Sequence, residues 1–359
     1  MINVTRSFMP PFEEYQKYIE KIWDNRYLTN EGPLLTELKE KLSKYLDINN
    51  VNIVNNGTTA LELAIKALNL ENCDIITTPF SFVATTSSII WENCKPVFVD
   101  IDRESLCIDV TKIEQAITPK TKAIMAVHVF GYPCDVYAIE KIAKKHNLKV
   151  IYDGAHAFGS KYDGKSLLSF GDITTCSFHA TKLYHTIEGG ACCTNNDEVN
   201  QRVQYLKKFG EVNKEYKYLG TNAKMTEFNA AMGLANYKYI DEIIKERKKI
   251  CDAYDKYLDG FVKRPYIREN TEQNYIYYPI ILKDEEETLK IISELNKNDI
   301  NPRRYFYPAL NTLSFVNSDE KCPVCEDITK RILCLPLYNG LSIEDVEKIS
   351  KIIVDTIKN

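Results

Sequence analysis

Lys182 stands in Ser177-Phe178-His179-Ala180-Thr181-Lys182, in the turn after a β-type run, Ile173-Thr174-Thr175-Cys176-Ser177-Phe178. Glu188-Gly189-Gly190 and a second apolar run follow. Upstream, Lys149-Val150-Ile151-Tyr152 reads as a buried strand whose end carries Asp153. A lysine amine can form a Schiff base with an aldehyde, and a carboxylate can pair with a protonated ring nitrogen. An acid at one strand end and a lysine in the turn after another therefore fit a pyridoxal phosphate site. Lys182 alone would read as a solvated surface lysine; its companions change that.

Such a cofactor also needs a phosphate site. Val51-Asn52-Ile53-Val54 reads as a short strand, followed by Asn55-Asn56-Gly57-Thr58-Thr59 and a helix with Leu61, Ala64, Ile65 and Leu68 on one face. Free N–H groups at a helix start, together with the dipole, favour a phosphate, and Thr58 and Thr59 add hydroxyls. The Gly-Lys-Ser/Thr ending of a P-loop is absent, and an ordinary Asn/Gly turn with a Thr cap is the plain alternative.

The elements that must position these groups are legible as apolar runs separated by helical patterns: Ile75 to Thr78, Val97 to Val99, Ala123 to Val127 and Val150 to Tyr152. Strands without clean polar alternation, interleaved with helices, predict a mostly parallel sheet covered on both faces. Ligands of such sheets sit beyond the carboxyl ends of the strands. There the sequence puts Gly57, Phe82, His128, Asp153 and the Lys182 turn. Phe82 could lie flat on a ring or simply pack. His128 reads as satisfying local hydrogen bonds and is given no chemistry. His156, three residues after Asp153, would share its face on a helical turn, where it could orient the acid or touch the cofactor.

Around this centre, Phe12, Tyr15, Tyr18, Ile19 and Ile22 predict an amphipathic helix, and Pro33 opens another over 34–45. A long charged helix from about Lys238 to Leu258 reads as the connection to a second domain. Strand candidates follow over 275–282, then a helix over 287–297 and the basic-aromatic run Arg303-Arg304-Tyr305-Phe306-Tyr307-Pro308. Arg303 and Arg304 either face an anionic substrate or are exposed charges before a strand. Val346, Ile349, Ile352, Ile353 and Ile357 form a closing helical stripe.

Composition narrows the class. The chain has 359 residues and a net charge of -4, enough for a large core and without a basic field for nucleic acid or anionic membrane. Neither an apolar leader nor a long uncharged apolar run is visible, so a soluble, cytoplasmic protein is expected. The 11 cysteines are odd in number and scattered, which favours reduced thiols. Cys322-Pro323-Val324-Cys325 is a lone CxxC, insufficient for a zinc or redox assignment, and no metal site is assigned.

Taken together, Thr29 to Pro33, Asn56 to Leu61, Pro79 to Thr85, Asp153 to Gly159, Ser169 to Asp172, Ser177 to Lys182, Glu188 to Gly190 and Gly220 to Ala231 resemble, in this order, the DegT/StrS-type sugar aminotransferases, which are fold-type-I pyridoxal phosphate enzymes. The resemblance implies an α/β large domain, 1–245, with a mostly parallel seven-stranded sheet flanked by helices and its N-terminal helix packing near the small domain. A smaller C-terminal α/β domain would occupy 246–359. It implies that Lys182 holds the cofactor, Asp153 pairs with the ring nitrogen, Phe82 stacks on the ring, and Gly57, Thr58, Thr59 and Ser177 hold the phosphate. Asn222 would reach the phosphate in a neighbouring subunit, making the unit a homodimer with shared active sites. His156 stands where the family more often has glutamine. Histidine in place of the lysine marks dehydratase relatives, so Lys182 favours transamination.

Pairing with the ring is expected to depress Asp153, and the pocket with nearby cations to lower Lys182. Glutamate is the expected donor and a nucleotide-linked keto-sugar the acceptor, with His179, Arg303, Arg304 and Tyr305 as candidate substrate residues. The run from Arg303 to Pro308 is similar to one in enzymes that aminate C4 of a dTDP-4-keto-6-deoxyhexose, which points to dTDP-4-amino-4,6-dideoxyglucose for surface polysaccharide. A C3 keto-sugar or a small keto-phosphate is the nearest alternative. A non-catalytic cofactor-binding sensor or assembly protein, or a nucleotide-binding module without the cofactor, is the alternative of another class.

Overall fold

The computed structural model describes residues 1–358. Its centre is a seven-stranded sheet. The strands are β1 (Asn50–Val54), β2 (Asp74–Thr77), β3 (Lys95–Phe98), β4 (Thr121–Val127), β5 (Lys149–Asp153), β6 (Ile173–Ser177) and β7 (Gly190–Thr194), in the spatial order β1-β7-β6-β5-β4-β2-β3. All pairings are parallel except those of β7, which is antiparallel to both neighbours. Both faces are covered, and alternate residues serve different cores. Ile76 and Ile124 join one buried cluster, Ile75 and Met125 the other. That period of two with burial on both sides is why the strands read as continuous apolar runs.

Helix α1 (Phe12–Asn25) packs on α5 (Glu227–Tyr237), where Trp23 meets Phe228 edge-on at 5.9 Å. Residues 2–3, ahead of this helix, pair in parallel with Ile300 and Asn301. Only Ile22 of α1 is fully buried. Helix α2 (Pro33–Leu46) starts against a carboxylate from α5: Leu34 and Leu35 donate their N–H groups to Glu227 at 2.8 and 3.0 Å. Two helices then begin at strand ends, α3 (Gly57–Ala67) after β1 and α4 (Val83–Trp91) shortly after β2.

Helix α6 (Ile240–Leu258) joins two cores. Ile240 and Ile243 belong to the cluster under the large sheet, while Ile250, Cys251, Tyr254 and Leu258 belong to a separate cluster. The second cluster lies among α6, the antiparallel pair β8 (Tyr278–Ile281) and β9 (Ile332–Leu335), α7 (Glu285–Lys297) and α9 (Ile343–Lys358). A division at 245/246 therefore falls inside one continuous helix. Arg247 ties that helix to both clusters by donating to the carbonyls of Ile276 (3.2 Å), in the first, and Leu337 (3.3 Å), in the second.

Helix α8 (Pro323–Arg331) carries the CxxC at its start. Asp100, beyond β3, accepts the N–H groups of Val324 and Cys325, both at 2.9 Å. Both thiols are buried, and burial pushes Cys322 up to about 12 and Cys325 higher. The motif is a capped helix start with inert thiols. Among the described residues all 11 cysteines are free, no cluster of metal-binding side chains forms, and no helix is long and apolar enough to cross a membrane.

Candidate active site

The carboxyl ends of β1, β4, β5 and β6 open into a cavity of about 340 Å³. It brings together Gly57 and Thr58 from the start of α3, Phe82, Asp153, His156, Ser177, His179, Lys182, and, from the chain beyond α6, Tyr277, Arg303, Tyr305 and Phe306.

Asp153 ends β5 and is 5% exposed. Its Oδ2 accepts the Thr85 hydroxyl at 2.7 Å, and Oδ1 accepts the Ala155 N–H at 3.0 Å. Thr85 in turn shares a 2.7 Å hydrogen bond with the Ser81 hydroxyl. Burial raises the Asp153 carboxyl; the Thr85 and Ala155 hydrogen bonds and the charge of Lys182 work against it. In the protein by itself the balance is upward, because taking a carboxylate out of water outweighs the two hydrogen bonds and the Lys182 charge.

Lys182 lies on the loop between β6 and β7. The loop is tied at its base, Phe178 N–H to Gly189 O at 2.8 Å and Thr186 N–H to Phe178 O at 2.9 Å, and Lys182 N–H donates to His179 O at 2.8 Å. Asn229 of α5 clamps it from outside by donating to the carbonyls of Thr186 (2.7 Å) and Glu188 (2.9 Å). Burial lowers the Lys182 amine, and Asp153, Tyr305 and Cys176 oppose this. The lowering is as expected, but its cause is burial, with acidic neighbours pulling the other way rather than cations assisting.

The helix start is built for close approach. Asn56 caps α3 by accepting the Thr59 N–H at 2.8 Å, so that donor is spent, and Thr59 stays outside the cavity lining. Gly57 and Thr58 remain at the cavity. A Cβ on Gly57 would stand 2.9 Å from Ser177 Cβ, and one on Gly190 would stand 2.6 Å from the Asn56 carbonyl. Both positions need glycine for space.

His156 is buried with its ring nearly parallel to Phe306, centroids 5.7 Å apart, and its Nδ1 has no hydrogen-bond partner. Burial holds its pKa well below the ordinary value, so it is neutral. His128 stacks on Tyr152 at 4.6 Å and accepts the Cys134 N–H at 3.2 Å. His179 accepts the Thr181 N–H on Nδ1 at 3.3 Å, which leaves the proton on Nε2, 3.6 Å from the Glu188 carboxylate.

The two arginines part company. Arg303 lines the cavity, its guanidinium 5.0 Å from the Tyr305 ring, and no carboxylate among the described residues pairs with it. Arg304 is corrected as a substrate candidate: it turns away to Glu285 (2.8 Å) and the Lys330 carbonyl (3.0 Å), and lies over Tyr307. Asn222 is exposed outside its own chain's cavity lining, with its Oδ1 accepting from Lys224 at 2.6 Å. Thr85, Tyr277, Phe306 and Asn229 were given no role by sequence reasoning. Thr85 stands 68 positions from the acid it touches, and nothing local in the sequence signals such a contact.

Comparison with known proteins agrees along the whole length. The DegT/DnrJ/EryC1/StrS aminotransferase family model matches residues 12–354. A dTDP-4-amino-4,6-dideoxy-D-glucose transaminase from Shigella dysenteriae is 40% identical over 356 residues, covering 97% of each chain. Among solved structures, DesI in the presence of its TDP-sugar product superposes with a TM-score of 0.94 at 27% identity, covering 99% of this chain and 93% of that one. The PMP-form of Spr1654 from Streptococcus pneumoniae gives 0.91 at 27% identity, covering 99% and 98%.

Proposed function

Since this chain belongs to the DegT/DnrJ/EryC1/StrS aminotransferase family and is a nucleotide-sugar aminotransferase, we propose that it works with pyridoxal 5'-phosphate, takes the amino group from glutamate and delivers it to C4 of dTDP-4-keto-6-deoxyglucose. The product would be dTDP-4-amino-4,6-dideoxyglucose, made in the cytoplasm for surface polysaccharide. The observation that carries the chemistry is the meeting, in one cavity, of a half-buried lysine, a buried hydrogen-bonded aspartate and a glycine-opened helix start. The choice of acceptor rests on the likeness to the Shigella transaminase.

The residues fit the cofactor. His156 Nδ1 is a buried polar atom without a partner at the cavity, and the space where a Gly57 side chain would stand is taken up by Ser177. Lys182 would hold the aldehyde carbon, Asp153 the ring nitrogen, Phe82 a ring face, and Gly57, Thr58 and Ser177 the phosphate. When bound, the cofactor supplies an electron-withdrawing ring that makes a proton on the donor's Cα removable. Lys182 Nζ, lowered by burial, is the base that takes that proton from Cα and returns one in the second half of the cycle. Asp153, fixed by Thr85 and the Ala155 N–H, keeps negative charge on the ring-nitrogen side. Arg303 and Tyr305 would orient the anionic part of the substrates.

The working unit is proposed to be a homodimer sharing its active sites. Exposed Asn222, outside its own cavity, and the solvent-facing Phe12 and Trp23 of α1 support this. Purified protein is tested with glutamate and a panel of keto-sugar nucleotides, with products read by mass and NMR. Amination at C4 of the dTDP-4-keto-6-deoxy substrate is expected. Amination of a C3 keto-sugar or a keto-phosphate alone would replace the acceptor. Borohydride reduction and peptide mapping should label Lys182, and an unlabelled Lys182 would overturn the cofactor assignment.

A further inference from the structure

Residues 2–8 form a strap that touches both the segment leading to Arg303 and the loop that carries Lys182. Ile2 and Asn3 pair in parallel with Ile300 and Asn301. Asn301 Nδ2 donates to Asn3 Oδ1 at 3.1 Å, and Leu337 N–H donates to Val4 O at 3.0 Å. These contacts all lie in the second domain, and Asn301 is followed closely by Arg303 and Tyr305, which line the cavity.

At its other end the strap meets the Lys182 loop. His185 Nε2 and Phe8 O are 2.6 Å apart. Ile187 N–H donates to His185 Nδ1 at 3.2 Å, so Nδ1 is the acceptor and the proton sits on Nε2, where it is donated to Phe8 O. Asn236 of α5 donates to His185 O at 2.9 Å, and the Phe8 ring rests against Tyr239 at 5.4 Å. His185 is 2% exposed, and burial holds its pKa below the ordinary histidine value, which preserves the neutral tautomer this geometry requires.

We propose that His185 is a positioning residue: by holding the strap at Phe8 it couples the Lys182 loop to the segment that carries Arg303 and Tyr305, so that the amine and the substrate-orienting groups keep one relative placement. The inference rests on Lys182 being the reacting amine. Its physical basis is the sensitivity of such reactions to sub-ångström to 1 Å displacements of the reacting groups. A single imidazole makes both bonds, one within the loop and one to the strap, and the two can be broken separately.

The test uses three forms of the full chain. His185→Gln keeps a donor for Phe8 O and loses the acceptor for Ile187. His185→Asn keeps that acceptor and falls short of Phe8. A chain without residues 1–4 breaks only the far end of the strap. Hydrogen exchange is followed over 178–189 and 300–305, and kcat and acceptor KM are measured. His185→Asn and the shortened chain should each speed exchange in both segments and lower kcat by about tenfold to a hundredfold. His185→Gln should recover most of both, and the two lesions combined should cost no more than one. Normal exchange and kcat in the shortened chain, or lesions whose effects multiply, would overturn the coupling. Exchange needs neither cofactor nor turnover. Coupled exchange in a chain that transfers no amine would therefore count against the proposed reaction and not against the strap.

Discussion

Burial lowers the amine of Lys182 and raises the carboxyl of Asp153, two groups that share one cavity. One influence thus prepares a base and, opposite it, a carboxylate that gains from a cationic ring. Lys182→Ala should lower the rate of amine transfer by at least ~10²-fold, the ordinary weight of a positioned base, with little change in melting temperature. Single-turnover kinetics with glutamate measures it. Asp153→Asn keeps the shape and the contact with Thr85, so cofactor should still bind, read by visible absorbance, while turnover falls by a similar factor. Near-normal turnover in that variant would remove the ring-nitrogen pairing from the mechanism. Residues at this scale were legible where chemistry and strand end coincide locally, as at Gly57, Asp153 and Lys182. Arg304 was not: its type matches Arg303, and only packing on Glu285 and Tyr307 tells the two apart.

Two of the helices are set in place by carboxylates from distant segments. Glu227 receives two N–H groups of α2, and Asp100 two of α8. Glu227 is 1% exposed, so a weakened bond there is not replaced by water. Glu227→Gln should cost about 1–3 kcal/mol, because one amide N–H₂ then faces a backbone donor. Urea unfolding followed by circular dichroism gives that number, and a loss below a few tenths would deny Glu227 its capping role. Periodicity announced the helices and their order well. It misjudged ends, as at the strand expected over 275–282, which narrows to Tyr278–Ile281 because Tyr275 takes a left-handed backbone, φ 55°. Periodicity is also silent on caps that come from far along the chain, and on α6 serving two cores, since one apolar stripe looks the same whichever core receives it.

Across the whole molecule, Glu31 ties three segments together. Its carboxylate pairs with Lys207 and Lys208, and Lys207, nearly buried, also reaches the Ile53 carbonyl at 3.4 Å. Burial alone would raise Glu31, but the two lysines overcome it and bring it from 4.5 down to about 2. A folded value below the unfolded one stabilises the protein fully above pH 4.5, and that contribution is lost as pH falls toward about 2. Glu31→Gln should therefore cost about 2 kcal/mol at pH 7, with the gap to wild type closing as the pH drops through this window. Unfolding midpoints at pH 7 and pH 3 check it; a gap that does not change with pH would rule out the linkage. The reversed direction of β7 bears on a different question, that of redesign. Because that strand runs back beside β6, the stretch bearing the lysine is a closed noose whose two ends are hydrogen-bonded to each other. Arg303, Tyr305 and Phe306 enter the same cavity from another quarter, so under the proposed function substitutions there offer a way to change the accepted sugar while leaving the noose untouched.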